Sequence, residues 1–173
     1  MRLSKMRHFL LIVLALVLVA GCATHAPTSS HFARPDHLFP ENGFVTQRAV
    51  LTIHGRQFPL NGYLALSATG GKRLVVTENF GHVLADVLVK PDGEIFVMQS
   101  TKMFPAKYIR CCLAPDLQCV FGGSTDAKCP VTMIETNHFI IHHFAYRVDL
   151  RILDVKSGVQ SAALFDASKA EIK

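Results

Sequence analysis

Cysteine and histidine are the side chains with most scope for chemistry in this 173-residue chain, and their spacing limits what that chemistry can be. Cys111, Cys112, Cys119 and Cys129 fall in one short stretch without the paired CxxC spacing of a zinc ribbon, so disulfide bonding is expected rather than metal binding. Cys119 with Cys129, around the Gly122-Gly123 loop, is the preferred bridge. Cys112 with Cys119 would need a kink at Pro115, because seven helical residues set two α-carbons about 10 Å apart. His138, His142 and His143 lie in one strand region. Strand residues four apart are about 13 Å distant, too far to converge on an ion, so these read as surface or core histidines. Glu78, His82 and Asp86 could approach across a hairpin, an arrangement more typical of a surface pair than of catalysis. No nucleophile elbow, glycine-rich phosphate loop, HExxH or local Cys/His signature occurs. The chain reads as a non-enzyme, without cofactor or metal.

The fifth cysteine, Cys22, has a different context. Arg2, Lys5 and Arg7 precede the apolar run FLLIVLALVLVAGC, Phe9 to Cys22, which ends in small residues. An apolar run of about 13 residues is too short to cross roughly 30 Å of hydrocarbon, and the pattern is that of a secretory signal peptide. Val19-Ala20-Gly21-Cys22 resembles the bacterial lipobox, in which the cysteine thiol is acylated and becomes the new N-terminus. The expected product is a palmitate-bearing lipoprotein anchored through Cys22. Ala23, standing where Asp would signal inner-membrane retention, points to the periplasmic face of the outer membrane. That compartment permits disulfides. Most of the formal +5 charge leaves with the signal, so nothing marks a nucleic-acid partner.

Three regions follow: a signal at 1–21, an acylated tether at 22–43 and one folded domain at 44–173. The tether, ATHAPTSSHFARPDHLFPEN, has breakers and no periodicity. Beyond it, short apolar runs alternate with turn chemistry: Phe44 to His54, Phe58 to Ser67, Arg73 to Asn79, His82 to Lys90 and Glu94 to Ser100. Turns of this length join neighbours, predicting a five-stranded antiparallel meander. Val45, Ala49, Leu51 and Ile53 share one face of the first strand, with Thr46, Arg48, Thr52 and His54 on the other. Later strands are apolar on both faces, so something must cover the second one. Phe104 to Phe121 has helical spacing at Ile109, Cys112, Leu113, Leu117 and Val120, with Pro115 expected to break or kink it. Strands resume at Val131–Glu135, Phe139–Phe144, Tyr146–Val155 and Val159–Phe165.

This order of elements, with the run VTQRAVLTIHGRQFPLNGYLAL, resembles the LolA/LolB-like superfamily, open half-barrels of antiparallel strands that hold helices in their cup. The resemblance implies a mainly β fold and an apolar cup, with a short helical crossover packed in the concave face. It also implies a role in carrying acyl chains, lipids or lipoprotein acyl groups. The family's long N-terminal helix is missing or reduced to the tether, and no protruding hairpin tipped by an exposed Leu is evident. The expected lining of the cup is Leu64, Leu66, Val76, Leu84, Leu88, Phe96, Met98, Ile109 and Leu113. An alternative role is docking an envelope protein, with Val159 to Phe165 as an edge strand added to the partner's sheet.

Overall fold

The computed structural model describes residues 38–122, 129–168 and 170. Cys22, its signal and most of the tether lie outside them. Eight strands form one antiparallel sheet: β1 Gly43–Ile53, β2 Arg56–Ser67, β3 Gly71–Glu78, β4 Val83–Val89, β5 Ile95–Gln99, β6 Val131–Glu135, β7 His138–His142 and β8 Tyr146–Ser157. Their spatial order is β5-β4-β3-β2-β1-β8-β7-β6, so the first and last strands are neighbours at the centre. The sheet does not close, and with the crossover on one face the domain is an open half-barrel.

Three of the hairpins follow from glycine turn chemistry. Gly55, Gly81 and Gly93 adopt positive φ between consecutive strands, the backbone region only glycine enters without strain. The crossover runs as α1, Ala106–Tyr108, a π-helical turn Ile109–Leu113, and α2, Ala114–Phe121. At Pro115, the expected site of a break or kink, the chain stays helical but its winding changes. The Ala114 amide donates back to the Ile109 carbonyl, the wider π spacing, and Pro115 then falls in the first turn of α2, where its missing N–H costs least. Ile109, Ala114, Leu117, Val120 and Phe121 bury against the sheet, and a disulfide joins Cys119 to Cys129 at the approach to β6, with α-carbons 5.6 Å apart.

The final segment differs from the expected strand. β8 extends to Ser157, and Ala162–Phe165 forms a 3₁₀ turn begun by Ser161, whose hydroxyl accepts from the Ala163 amide. Alanine-rich sequence has little strand preference, and two side chains hold the turn on the outer face of the sheet. Arg73 Nη1 donates to the Leu164 carbonyl and Lys90 Nζ to that of Phe165. Phe165 thereby covers Ala65 and Leu88, and this turn is what shields the second apolar face. Its ring lies so close over Gly70 that an added Cβ would meet ring carbon at 2.6 Å. The edge-docking role assigned to Val159–Phe165 falls with the strand. The tether also ends earlier than expected: Leu38 and Phe39 pack on the core, with Phe39 tilted against Phe121 at 4.6 Å.

Candidate functional site

Between the crossover and the sheet lies a cavity of about 320 Å³, within the range of about 300–1,000 Å³ usual for small-ligand sites. Alternate residues of β1, namely Gln47, Ala49, Leu51 and Ile53, line one wall because strand side chains alternate between faces. Leu60 and Gly62 continue it on β2, Leu74 and Val76 on β3, and Tyr146, Val148 and Leu150 on β8. Leu113, Leu117, Val120 and Phe121 form the roof. Exposed lining residues gather at one end, where His54, Lys102, Met103, Tyr108 and Ala145 form the mouth.

Of the residues expected to line the cup, Val76 and Leu113 do so. Leu64, Leu66, Leu84 and Ile109 belong to the solid core around it. Leu88, Phe96 and Met98 point the other way, into the outer cluster under Phe165. Strand parity explains this: Val87 and Val97 take the inner face, so their neighbours cannot. Periodicity also marks two polar residues on these apolar faces. Gln47 lies between Val45 and Ala49 on the inward set, and Asp116 lies between Leu113 and Leu117 on the helix.

Asp116 is buried at the cavity wall and accepts from Tyr146 Oη at 2.9 Å and pairs with His143 Nε2 at 2.8 Å. The His143 ring stacks on that of Tyr146, centroids 4.4 Å apart. Burial pushes the Asp116 carboxyl up, partly offset by hydrogen bonds from His143 and Tyr146. Burial, followed by the Asp116 charge, raises the Tyr146 hydroxyl, which stays a donor. The Cys112 thiol is pushed up to about 11, first by burial and then by Cys111, whose sulfur lies 2.6 Å away. At neutral pH it is a thiol, not the thiolate a nucleophile requires.

A raised Asp116 carboxyl means that folding takes up a proton. The stability it contributes is full below the unfolded value of about 3.9 and is lost as pH rises through the higher folded value. Asp116→Asn removes that loss while still accepting from Tyr146, so stability is expected to flatten with pH above about 4. Asp116→Leu instead orphans the Tyr146 hydroxyl, at about 1–3 kcal/mol. Urea denaturation across pH reads both; a slope retained in the asparagine variant would contradict this assignment.

The other polar groups do not converge. His138 Nε2 meets Asp149 Oδ1 at 2.9 Å, and His142 is exposed. Glu78 contacts His82, but Asp86 turns away to a two-point pair with Arg73, at 3.0 and 2.7 Å. Among the described residues no group of three or more His, Cys, Asp or Glu is placed to hold a metal.

The mouth end carries further exposed apolar groups. Phe80, at 88% exposure, tips the β3–β4 hairpin, and Phe144 is fully exposed in the β7–β8 turn. Strand direction puts both turns at the Ile53 end of β1, whose β8 partner is Tyr146. The β3–β4 hairpin therefore has an apolar tip. Arg56, Lys102, Lys107 and Arg147 are exposed around the same end. No protein-family model matches the chain, and no curated protein matches it.

Proposed function

We propose that this domain is a non-enzymatic carrier that takes the acyl chain of a lipid or lipid-modified protein into the cavity. The observation that carries the reading is an apolar cavity open at the end of the sheet where Phe80 and Phe144 project. Each buried methylene contributes about 0.8 kcal/mol, enough for useful affinity from shape and apolarity alone. Aromatic tips beside Lys102, Lys107 and Arg147 suit the boundary between water and an anionic lipid surface, where the chain would enter or leave. The resemblance to the LolA/LolB-like superfamily supports the same reading. So does the lipobox at Cys22, which would hold the carrier at the periplasmic face of the outer membrane for transfer or insertion there.

The test is native mass spectrometry of protein purified from cells, followed by titration with a fluorescent fatty acid. Co-purified lipid and saturable binding at one site per chain are expected. Finding neither would overturn the proposal. Docking of an envelope protein is a second reading, moved from Val159–Phe165 to β6, an edge strand with Ile134 55% exposed. Strand addition there would bury that side chain. Site-specific cross-linking from Ile134 in intact cells is expected to give a single protein adduct on this reading and none on the first.

A further inference from the structure

Gln47 is 7% exposed, lines the cavity, and its Oε1 is buried with no hydrogen-bond partner among the described residues. A buried carbonyl oxygen without a partner is costly, and native cores rarely keep one without a use. This one is accommodated by its surroundings. The β1–β8 register shifts between Thr46 and Gln47, an irregularity of the kind that re-aims a side chain. Its strand partner on β2 is Gly62, where an added Cβ would meet Gln47 Nε2 at 2.5 Å and Cγ at 2.6 Å. Only glycine leaves the amide room to lie there.

The position is as informative as the chemistry. Gln47 is six strand residues from Ile53 at the mouth, roughly 20 Å inward. The ionisable lining groups lie toward the other end. His54 and Lys102 are exposed at the mouth, and Asp116 is bonded to Tyr146, which pairs with Ile53. A charged head group would find no counter-charge beside Gln47, whereas a neutral group that can donate a hydrogen bond matches its unpartnered carbonyl oxygen. We propose that Gln47 is a specificity residue: the cavity takes an aliphatic chain bearing a neutral hydroxyl or carboxamide, which enters first and pairs with Gln47. This rests on the carrier reading above and narrows its ligand class.

The experiment is displacement of an environment-sensitive fluorescent fatty acid by four medium-chain probes of equal length: the primary alcohol, the primary amide, the carboxylate and the unsubstituted hydrocarbon. Wild type is expected to bind the alcohol and amide about tenfold more tightly than the other two, the value of one net hydrogen bond. Gln47→Met, close in shape and wholly apolar, is expected to lose that preference and still bind the hydrocarbon. Its unfolding midpoint without ligand should rise, which separates lost recognition from lost folding. Gly62→Ala, which displaces the carboxamide, is expected to erase the preference as well. Equal binding of all four probes by wild type, or an undiminished preference in Gln47→Met, overturns the assignment while leaving the carrier reading intact. Failure of wild type to bind any probe, the fluorescent fatty acid included, overturns the carrier reading and this inference with it.

Discussion

Ala49→Phe is expected to weaken acyl-chain binding roughly a hundredfold and to leave the domain at least as stable as wild type. Ala49 is paired with Leu60 on β2 and Leu150 on β8, and all three line the cavity about two-thirds of the way from its mouth to Gln47. A phenyl ring there occupies the path of the chain and excludes three or four methylenes. At about 0.8 kcal/mol each the loss is about 3 kcal/mol, which is two orders of magnitude in Kd. The same ring adds apolar contacts to the cavity wall, so the unfolding midpoint is expected to hold or rise. Fluorescent fatty-acid titration beside thermal denaturation reads the two effects separately. If Ala49→Phe bound the probe as tightly as wild type, the chain would be seated elsewhere on the molecule.

The second large effect lies on the opposite face. Phe165→Ala is expected to cost about 3–5 kcal/mol, the usual range for removing a buried ring from a packed core. Phe165 is 5% exposed over Ala65 and Leu88, and its own carbonyl is held by Lys90, so the surrounding turn cannot readily collapse into the space. A domain with an ordinary stability of about 5–15 kcal/mol would lose much of its margin. Leu164→Ala, one residue earlier and partly exposed, is expected to cost far less. Comparable shifts of the two variants in urea denaturation would mean that the turn does not remain docked on the sheet.

The five-stranded meander and the helical crossover were legible because turn glycines and apolar runs punctuate the chain from Gly43 to Gln99, whereas the pairing of β8 with β1 has no local signal. The face each apolar residue takes was not, and this decides the site. Where both parities of a strand are apolar, as at Val87-Leu88 or Phe96-Val97, composition cannot say which set looks inward. Irregular pairing at Asp86/Val87 makes counting along the strand unsafe. The residues that could have been found were the polar exceptions. Gln47 and Asp116 each interrupt an otherwise apolar face, and a polar side chain on an apolar face is more informative than another leucine. The last segment misled for a related reason: Val159, Leu164 and Phe165 bracket it with apolar side chains, but the Arg73 and Lys90 donors that hold it as a turn are remote in sequence.

The pairing of β1 with β8 also bears on when this protein can fold. Gly43 is matched to Ser157 and Ile53 to Tyr146, so the central seam joins the beginning of the domain to its end. Contacts this distant in sequence form late, after the loop-closure cost of the whole intervening chain has been met. Until β8 emerges from the ribosome, β1 has only β2 beside it, and the half-finished sheet presents an unpaired inner edge. A nascent chain in that condition is not yet committed to its native sheet, and a central seam that closes last would suit the export proposed for this protein.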